Sequence, residues 1–399
     1  MNKVATIENN GRKNNYNFIT LILFWCGLVV VSSLYLTIPL VSIFADNFNE
    51  TTATAAWTGS VFSLCYAIGL LIFGHLSDRL DRKQIILLGL ICLTIISPIL
   101  GTVETLTFLI VLRGMQGFLA ATFAPVALAY IVDVFPEERR VTATGFVASG
   151  FLMAGIIGQV FSSLVSQWLG WQSVFYILGG VYFLTAILVA VLIPKGERTN
   201  KNENLMSTMH QLKTIFTNIY LIYCYIITVT LLLSFVGMYT VLGNYLTTNF
   251  NLDDNQILSV RAVGIFGMLL SPFSGKLVEK FGIYNVIRSG LLLAVIGLTI
   301  LGISSNLAFL VIMSVVFVAG ISMTVPSLIT VVGQLGGQSR GMAVALYTFI
   351  LFIGATLAPI IAMSLLKTGN YFLTFETFAV LIGIGLFVSF FIKPKKIRY

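Results

Sequence analysis

Arg113 stands inside a long apolar run, with Gln116 three residues further on. At that spacing the two share a helix face. A guanidinium in a membrane span is costly unless it turns towards protein or enclosed water, so this pair can orient a polar solute or bias a proton equilibrium. A second constellation, GHLSDRLDRK from Gly74 to Lys83, places a dense group of charges directly after an apolar run. Asp78 and Arg82 are four apart, as are Arg79 and Lys83, so one helical turn can bring opposite charges together. A carboxylate drawn into low dielectric is the natural protonation site, since desolvation raises its pKa towards the physiological range. Asp46 and Glu376 are the candidates, and neither falls in the middle of a span.

The elements that must position these residues follow from composition. The chain has 399 residues, 57% hydrophobic and only 10% charged, with a mean hydropathy of +0.97. Soluble domains carry roughly a quarter of their residues charged. Several runs here exceed the roughly 18 apolar residues that cross a bilayer as a helix. The expected class is an all-α polytopic membrane protein with 12 transmembrane helices as two pseudo-symmetric six-helix bundles. Hydrophobic segmentation predicts helices at 18–41, 56–75, 84–103, 106–130, 142–165 and 172–193, then at 219–247, 257–275, 284–303, 306–331, 341–366 and 371–392. The expected domains are residues 1–193 as an N-terminal bundle, 194–217 as a cytoplasmic linker and 218–399 as a C-terminal bundle.

Charge placement tests this count. Apart from Lys367, Arg113 and Arg261, all of the 23 basic residues fall on one set of alternating connections, in the first turn or so of a helix beside them, or on the two terminal segments. A missed helix would mix the two sets. Basic connections face the cytoplasm, so both termini are expected there, in a multi-pass protein of the plasma (inner) membrane. The polar leader precedes a run too long for a signal-peptide core and is expected to be retained. The halves also repeat: GKLVEKFG, Gly275 to Gly282, lies about 200 residues after GHLSDRLDRK, and Arg140 matches Arg340 at the same offset. Repeated bundles place a substrate near their interface.

Other classes are excluded or disfavoured. The net charge of +8 resides in short connections and not on a folded basic face, so nucleic acid is not an expected partner. Cys26, Cys65, Cys92 and Cys224 are scattered without metal-ligand spacing. His75 and His210 are isolated, and no metal is expected. No nucleophile, base and orienting acid cluster, so no enzyme is expected. The absence of a Walker-type loop disfavours ATP-driven pumping.

Two motifs carry a family resemblance across almost the whole chain. GHLSDRLDRK resembles the signature loop of the major facilitator superfamily, usually G-x-L-a-D-R-x-G-R-K. RGMQGFLAA, Arg113 to Ala121, resembles the R-x-x-Q-G-x-x-x-A signature of its proton-coupled drug-antiporter branch. The resemblance implies that Asp78, Arg79, Arg82, Lys83 and Asp133 form a charge network latching the two halves in the outward-facing state. Asp81 stands where the family usually has glycine, which removes the freedom of a tight turn and adds a carboxylate. The resemblance also implies roles in proton coupling or substrate orientation for Arg113 and Gln116, and a cavity lined by helices 1, 4, 7 and 10. The cavity residues expected on that basis are Ser32, Tyr35, Phe235, Tyr239, Asn244 and Met323. ASGFLMAGIIGQ, Ala148 to Gln159, departs from the family's antiporter signature: it lacks the proline and has Gln159 at a glycine position. Gly117, Gly155 and Gly158 are read as close-packing positions.

The expected function is secondary active transport, namely proton-coupled export of a small organic solute or drug by alternating access. A proton-linked importer or facilitator of a polar metabolite and an exporter of a metal chelator are the alternatives, with a membrane receptor or sensor from a different class. The expected partners are a small-molecule substrate, protons and the lipid bilayer. No cofactor is expected beyond the proton gradient, and the monomer is the expected functional unit.

Overall fold

The computed structural model describes residues 16–77, 80–195 and 215–392. Asp78, Arg79 and most of the expected linker, with His210, lie outside the described residues. Among the described residues, twelve spans are long and apolar enough to cross a membrane. They are α1 (Tyr16–Phe48), α2 (Trp57–Leu76), α3 (Arg82–Leu100), α4 (Leu106–Val134), α5 (Glu137–Leu169) and α6 (Trp171–Leu192), then α7 (Ile219–Phe250), α8 (Gln256–Phe281), α9 (Ile283–Ile303), α10 (Leu307–Leu335), α11 (Arg340–Leu366) and α12 (Tyr371–Ser389). With an even number of spans, α1 begins and α12 ends on the same side. That side is termed the terminal end, and the other the far end.

Proline accompanies the breaks in three spans, although Pro98 and Pro326 lie inside helices that run on. It has no N–H to donate and its ring clashes with the preceding turn, but it fits the first turn of a helix. Thus α1 unwinds after Tyr35 and restarts at Val41, with Pro39 in the short turn Ile38–Leu40. Likewise α4 loosens at 121–123 before Pro125, in the first turn of Ala124–Val134. In α8 the turn Ser271–Phe273 contains Pro272 and precedes the segment Ser274–Phe281. By contrast α5 has no proline and runs unbroken for 33 residues, beginning earlier than hydropathy alone predicts because Glu137, Glu138, Arg139 and Arg140 all lie in its first turn.

The helices form two pseudo-symmetric bundles. In the first, α1 packs on α5, α2 on α4 and α3 on α6. The second repeats this with α7 on α11, α8 on α10 and α9 on α12. The bundles meet through α2 with α11 and α5 with α8, a symmetric pair of contacts, and through α5 with α10 and α4 with α11. Large apolar side chains such as Leu64, Ile91, Val191 and Phe387 remain exposed on the outside, as a hydrocarbon solvent requires. The corner between α2 and α3 and its repeat between α8 and α9 are built differently. Gly282 takes φ of +81°, a conformation that costs glycine little. Its counterpart Asp81 has φ of −60°, and its side chain accepts a hydrogen bond from the Lys83 amide, capping α3. The aspartate therefore needs no glycine-like freedom, because it replaces a turn with a cap.

Candidate solute cavity and its seal

At the far end the bundles part around a cavity of about 530 Å³, within the size range of small-molecule sites. Its walls come from α1, α5, α7 and α8. The break in α1 presents Ile38 and Pro39, while α5 contributes Leu152, Gly155, Ile156 and Gln159. Phe235 and Tyr239 on α7 meet edge to face, with centroids 5.2 Å apart. Tyr35 lies against Gly155, where a Cβ would stand 3.6 Å from the ring. Two polar side chains are held from behind. Arg261 Nη2 donates to the Tyr239 carbonyl at 3.3 Å, and Asn244 Oδ1 accepts from the Tyr371 hydroxyl at 2.8 Å.

Tyr35, Phe235, Tyr239 and Asn244 thus come together, but the expected helix set does not. The cavity uses α5 and α8 in place of α4 and α10. Ser32 is buried between α1 and α5, donating to the Leu28 carbonyl at 2.6 Å. Met323 is half-buried on α10, outside the lining. Gly158 lets the Ser32 backbone approach α5, with a Cβ site 2.8 Å from its carbonyl oxygen, and Gly117 does the same for Phe62 of α2. Gly155 differs, since it opens into the cavity.

Towards the terminal end the bundles close. A Cβ on Gly74 of α2 would overlap Ala345 of α11. One on Gly275 of α8 would overlap the Thr142 side chain of α5, and one on Gly145 of α5 the Ser271 carbonyl. Hydroxyls complete the seal: Ser271 Oγ donates to the Gly145 carbonyl at 2.9 Å, and Ser149 Oγ reaches the Met268 carbonyl at 3.2 Å. Midway along the bundles, Tyr66 packs edge to face on Phe352 with centroids 5.0 Å apart. Seam and cavity therefore lie in series along the same interface.

Arg113 is fully buried inside the first bundle and does not reach the cavity. Its Nε donates to the Thr58 carbonyl at 3.2 Å, Nη2 to the Ser33 carbonyl at 2.9 Å and Nη1 to Gln116 Oε1 at 2.5 Å. Gln116 Nε2 passes the chain on to Ser97 Oγ at 3.0 Å. The guanidinium also sits over the Phe62 ring, 4.2 Å from its centroid. These contacts tie α1, α2, α3 and α4 together. In this arrangement Arg113 and Gln116 position helices and touch no solute.

Part of the expected charge network is in place among the described residues, while Asp78 and Arg79 lie outside them. Arg82 pairs with Asp133 and donates to the carbonyls of Ser77 at 3.2 Å and Ala129 at 2.7 Å. Lys83 Nζ donates to the Ala190 carbonyl at 2.7 Å. These partners all belong to the first bundle, so the contacts named here fix the connection to its own bundle. Replacing Asp81 tests the local part of this arrangement. Asp81→Ala is expected to cost about 1 kcal/mol of stability and Asp81→Gly only a few tenths, because glycine tolerates the N-cap position. Thermal unfolding of the purified variants measures the difference.

Asp46 is exposed on the far-end segment of α1 and lies off the cavity. Glu376 is half-buried on α12, facing an open groove against α9. Its Oε2 accepts from Thr299 Oγ1 at 3.4 Å, while Oε1 is buried without a hydrogen-bond partner. Among the described residues lining the cavity, the one formal charge is Arg261, accompanied by Gln159, Thr240 and Thr247. A signal for these was present: Gln159 replaces an expected glycine, and Arg261 is one of the few basic residues inside predicted helices.

Two bundles that seal on one side of a solute-sized space are the arrangement of a membrane carrier of small molecules. The chain belongs to the Major Facilitator Superfamily, whose family model matches residues 23–335 and 224–398. It is similar to Multidrug resistance protein 1 of Bacillus subtilis (strain 168), with 24% identity over 358 residues covering 89% of this chain and 91% of that protein. An uncharacterised transporter of Buchnera aphidicola subsp. Schizaphis graminum is 23% identical over 367 residues, covering 89% and 86% of the two chains. The crystal structure of the human organic anion transporter MFSD10 shares the fold, with a TM-score of 0.77 at 15% identity, covering 94% of this chain and 99% of that one.

Proposed function

We propose that this chain is a secondary exporter that couples proton entry to expulsion of a small organic solute by alternating access, and that the geometry described is its outward-open state. The observation that carries this reading is the interface itself, a cavity open at the far end and a seam closed at the terminal end. The bias of basic residues supports placing the terminal end, with both termini, in the cytoplasm. Export and proton use are supported by RGMQGFLAA in α4 and by the likeness to Multidrug resistance protein 1. Each chain contains both bundles, which supports the monomer as the working unit.

The cavity lining includes no carboxylate among the described residues, so this reading assigns the proton to Glu376, the half-buried acid with an unpartnered oxygen. Flux driven by an imposed pH gradient in reconstituted vesicles tests it. The wild type is expected to accumulate solute against its gradient. Glu376→Gln should lose that accumulation, by about tenfold or more, while keeping solute exchange in the absence of a pH gradient. Wild-type accumulation by Glu376→Gln would remove this residue from the coupling. Flux indifferent to the gradient in the wild type would favour a facilitator.

A further inference from the structure

We infer that the outer groove between α9 and α12 binds an anionic phospholipid of the leaflet at the terminal end, Arg288 holding its phosphate and the groove an acyl chain. This site lies outside the solute cavity and does not depend on which solute is carried.

The first observation is a cation held between lipid-facing helices. Arg288 lies within two turns of the start of α9, so it stands near the membrane surface at the terminal end. Its Nη2 donates to the Ser389 carbonyl at the end of α12, at 3.3 Å, and its guanidinium lies 4.7 Å from the centroid of the exposed Phe390 ring. These contacts fix it between the two helices. Its Nε is buried without a hydrogen-bond partner, and no carboxylate pairs with Arg288 among the described residues. A guanidinium anchored at one tip and lacking an anion suits phosphate oxygens. In the first bundle the matching position is apolar. Gly89 and Gly290 each pack closely on a threonine, Thr122 and Thr324, and two residues before them stand Leu87 and Arg288. Packing of this helix pair therefore does not require the cation.

The second observation is the groove, of about 440 Å³, which continues from Arg288 towards the far end. Val295 of α9 follows Arg288 by seven residues and shares its face, and Ala379, Gly383, Ile384 and Phe387 form the α12 wall. Ile384 and Phe387 are exposed, so the groove opens to hydrocarbon. From Ala379 to Phe387 it runs for roughly 12 Å at 1.5 Å of rise per residue, along which an extended acyl chain can lie. Gly383 leaves its floor open, since no atom lies within 4 Å of a Cβ there. The groove also has a direction. Thr299 and Glu376 close it at the far end, where an anionic head would meet a carboxyl, so the head belongs at Arg288.

The third observation is the sequence after α12. Beyond Ile392 the chain reads KPKKIRY, with Lys393, Lys395, Lys396 and Arg398 in the seven residues that leave α12 at the terminal end. A basic cluster directly beside a membrane span attracts anionic headgroups. Arg288 and this cluster thus favour the same class of lipid.

The test is native mass spectrometry of the full-length protein in detergent, titrated with dioleoylphosphatidylglycerol and with dioleoylphosphatidylcholine, which has the same chains. The first phosphatidylglycerol molecule should bind roughly tenfold or more tightly than phosphatidylcholine, and Arg288→Gln should lose roughly fivefold or more of its affinity. Phosphatidylcholine binding should survive that substitution, which shows that the fold is kept, and Arg288→Lys should retain part of the preference. Gly383→Phe, which fills the groove, should weaken both lipids by about fivefold or more. Equal affinity for the two lipids, or phosphatidylglycerol affinity unchanged in Arg288→Gln, would overturn the inference. So would a preference lost only when Lys393, Lys395, Lys396 and Arg398 are replaced by Gln, because the tail alone would then attract the lipid. Unaltered binding in Gly383→Phe would remove the acyl chain from the groove, and displacement of the lipid by glycerol 3-phosphate would show a phosphate site in place of a lipid site.

Discussion

Gly145→Leu is expected to reduce solute flux by roughly tenfold or more while leaving each bundle folded. The nearest atoms to a Cβ at this position belong to Ser271 and Pro272 of α8, in the opposite bundle. The added side chain therefore meets its obstacle only when the seam is shut. Overpacking of this kind costs about 1–3 kcal/mol, which is the scale of conformational equilibria in proteins that alternate between states. The same substitution disturbs the Ser271 hydroxyl that donates to the Gly145 carbonyl. The outcome is read with an Ala345→Cys reporter, buried at the seam. Thiol reagent applied from the terminal end should react with it far faster in the leucine background. Unaltered flux and an unreactive reporter would show that the seam tolerates the side chain and that its tight packing does not govern closure.

Arg113→Lys should be damaging even though it keeps the charge. The guanidinium sends separate N–H groups to Thr58, Ser33 and Gln116. A lysine ammonium is a compact point on a flexible stem and cannot reproduce that fork. Leaving buried acceptors without donors costs about 1–3 kcal/mol for each group, and a net loss of about 2–4 kcal/mol is expected. The purified variant should unfold at a lower temperature and carry less solute. If lysine instead preserved both stability and flux, the charge itself would be the essential property, and Arg113 would return to the coupling mechanism.

Much of the fold was legible because a bilayer enforces it. Long apolar runs and one-sided basic connections each report on helix number, and the described spans follow them. The cavity was only half legible. Tyr35, Phe235, Tyr239 and Asn244 sit on faces that turn inward, whereas Arg113 and Gln116, on an equally apolar helix, turn into their own bundle. Sequence spacing states which residues share a face but not which neighbour that face meets. The seam was hidden for a similar reason. Gly74 and Gly275 open the two repeated charged stretches, yet the neighbouring charges drew attention to a latch, while the glycines themselves bring the bundles close together. Asp81 departed from an expected glycine, and local capping chemistry explains that departure.

The unbroken course of α5 has a mechanical consequence. Spans α1, α4 and α8 are interrupted near proline, but α5 keeps its hydrogen-bond ladder from Glu137 to Leu169. It carries the seam at Gly145 and the cavity wall at Gln159, separated by roughly 21 Å at 1.5 Å of rise per residue. A stiff rod bearing on α8 at one end and lining the cavity at the other could serve the proposed cycle as a lever. Tilting it about a point between them would part the seam as it narrows the cavity mouth, so the two ends move in antiphase. Under the proposed alternating access, such a lever would prevent a continuous leak across the membrane without any signal having to pass from residue to residue, because the two openings would be opposite displacements of one solid body.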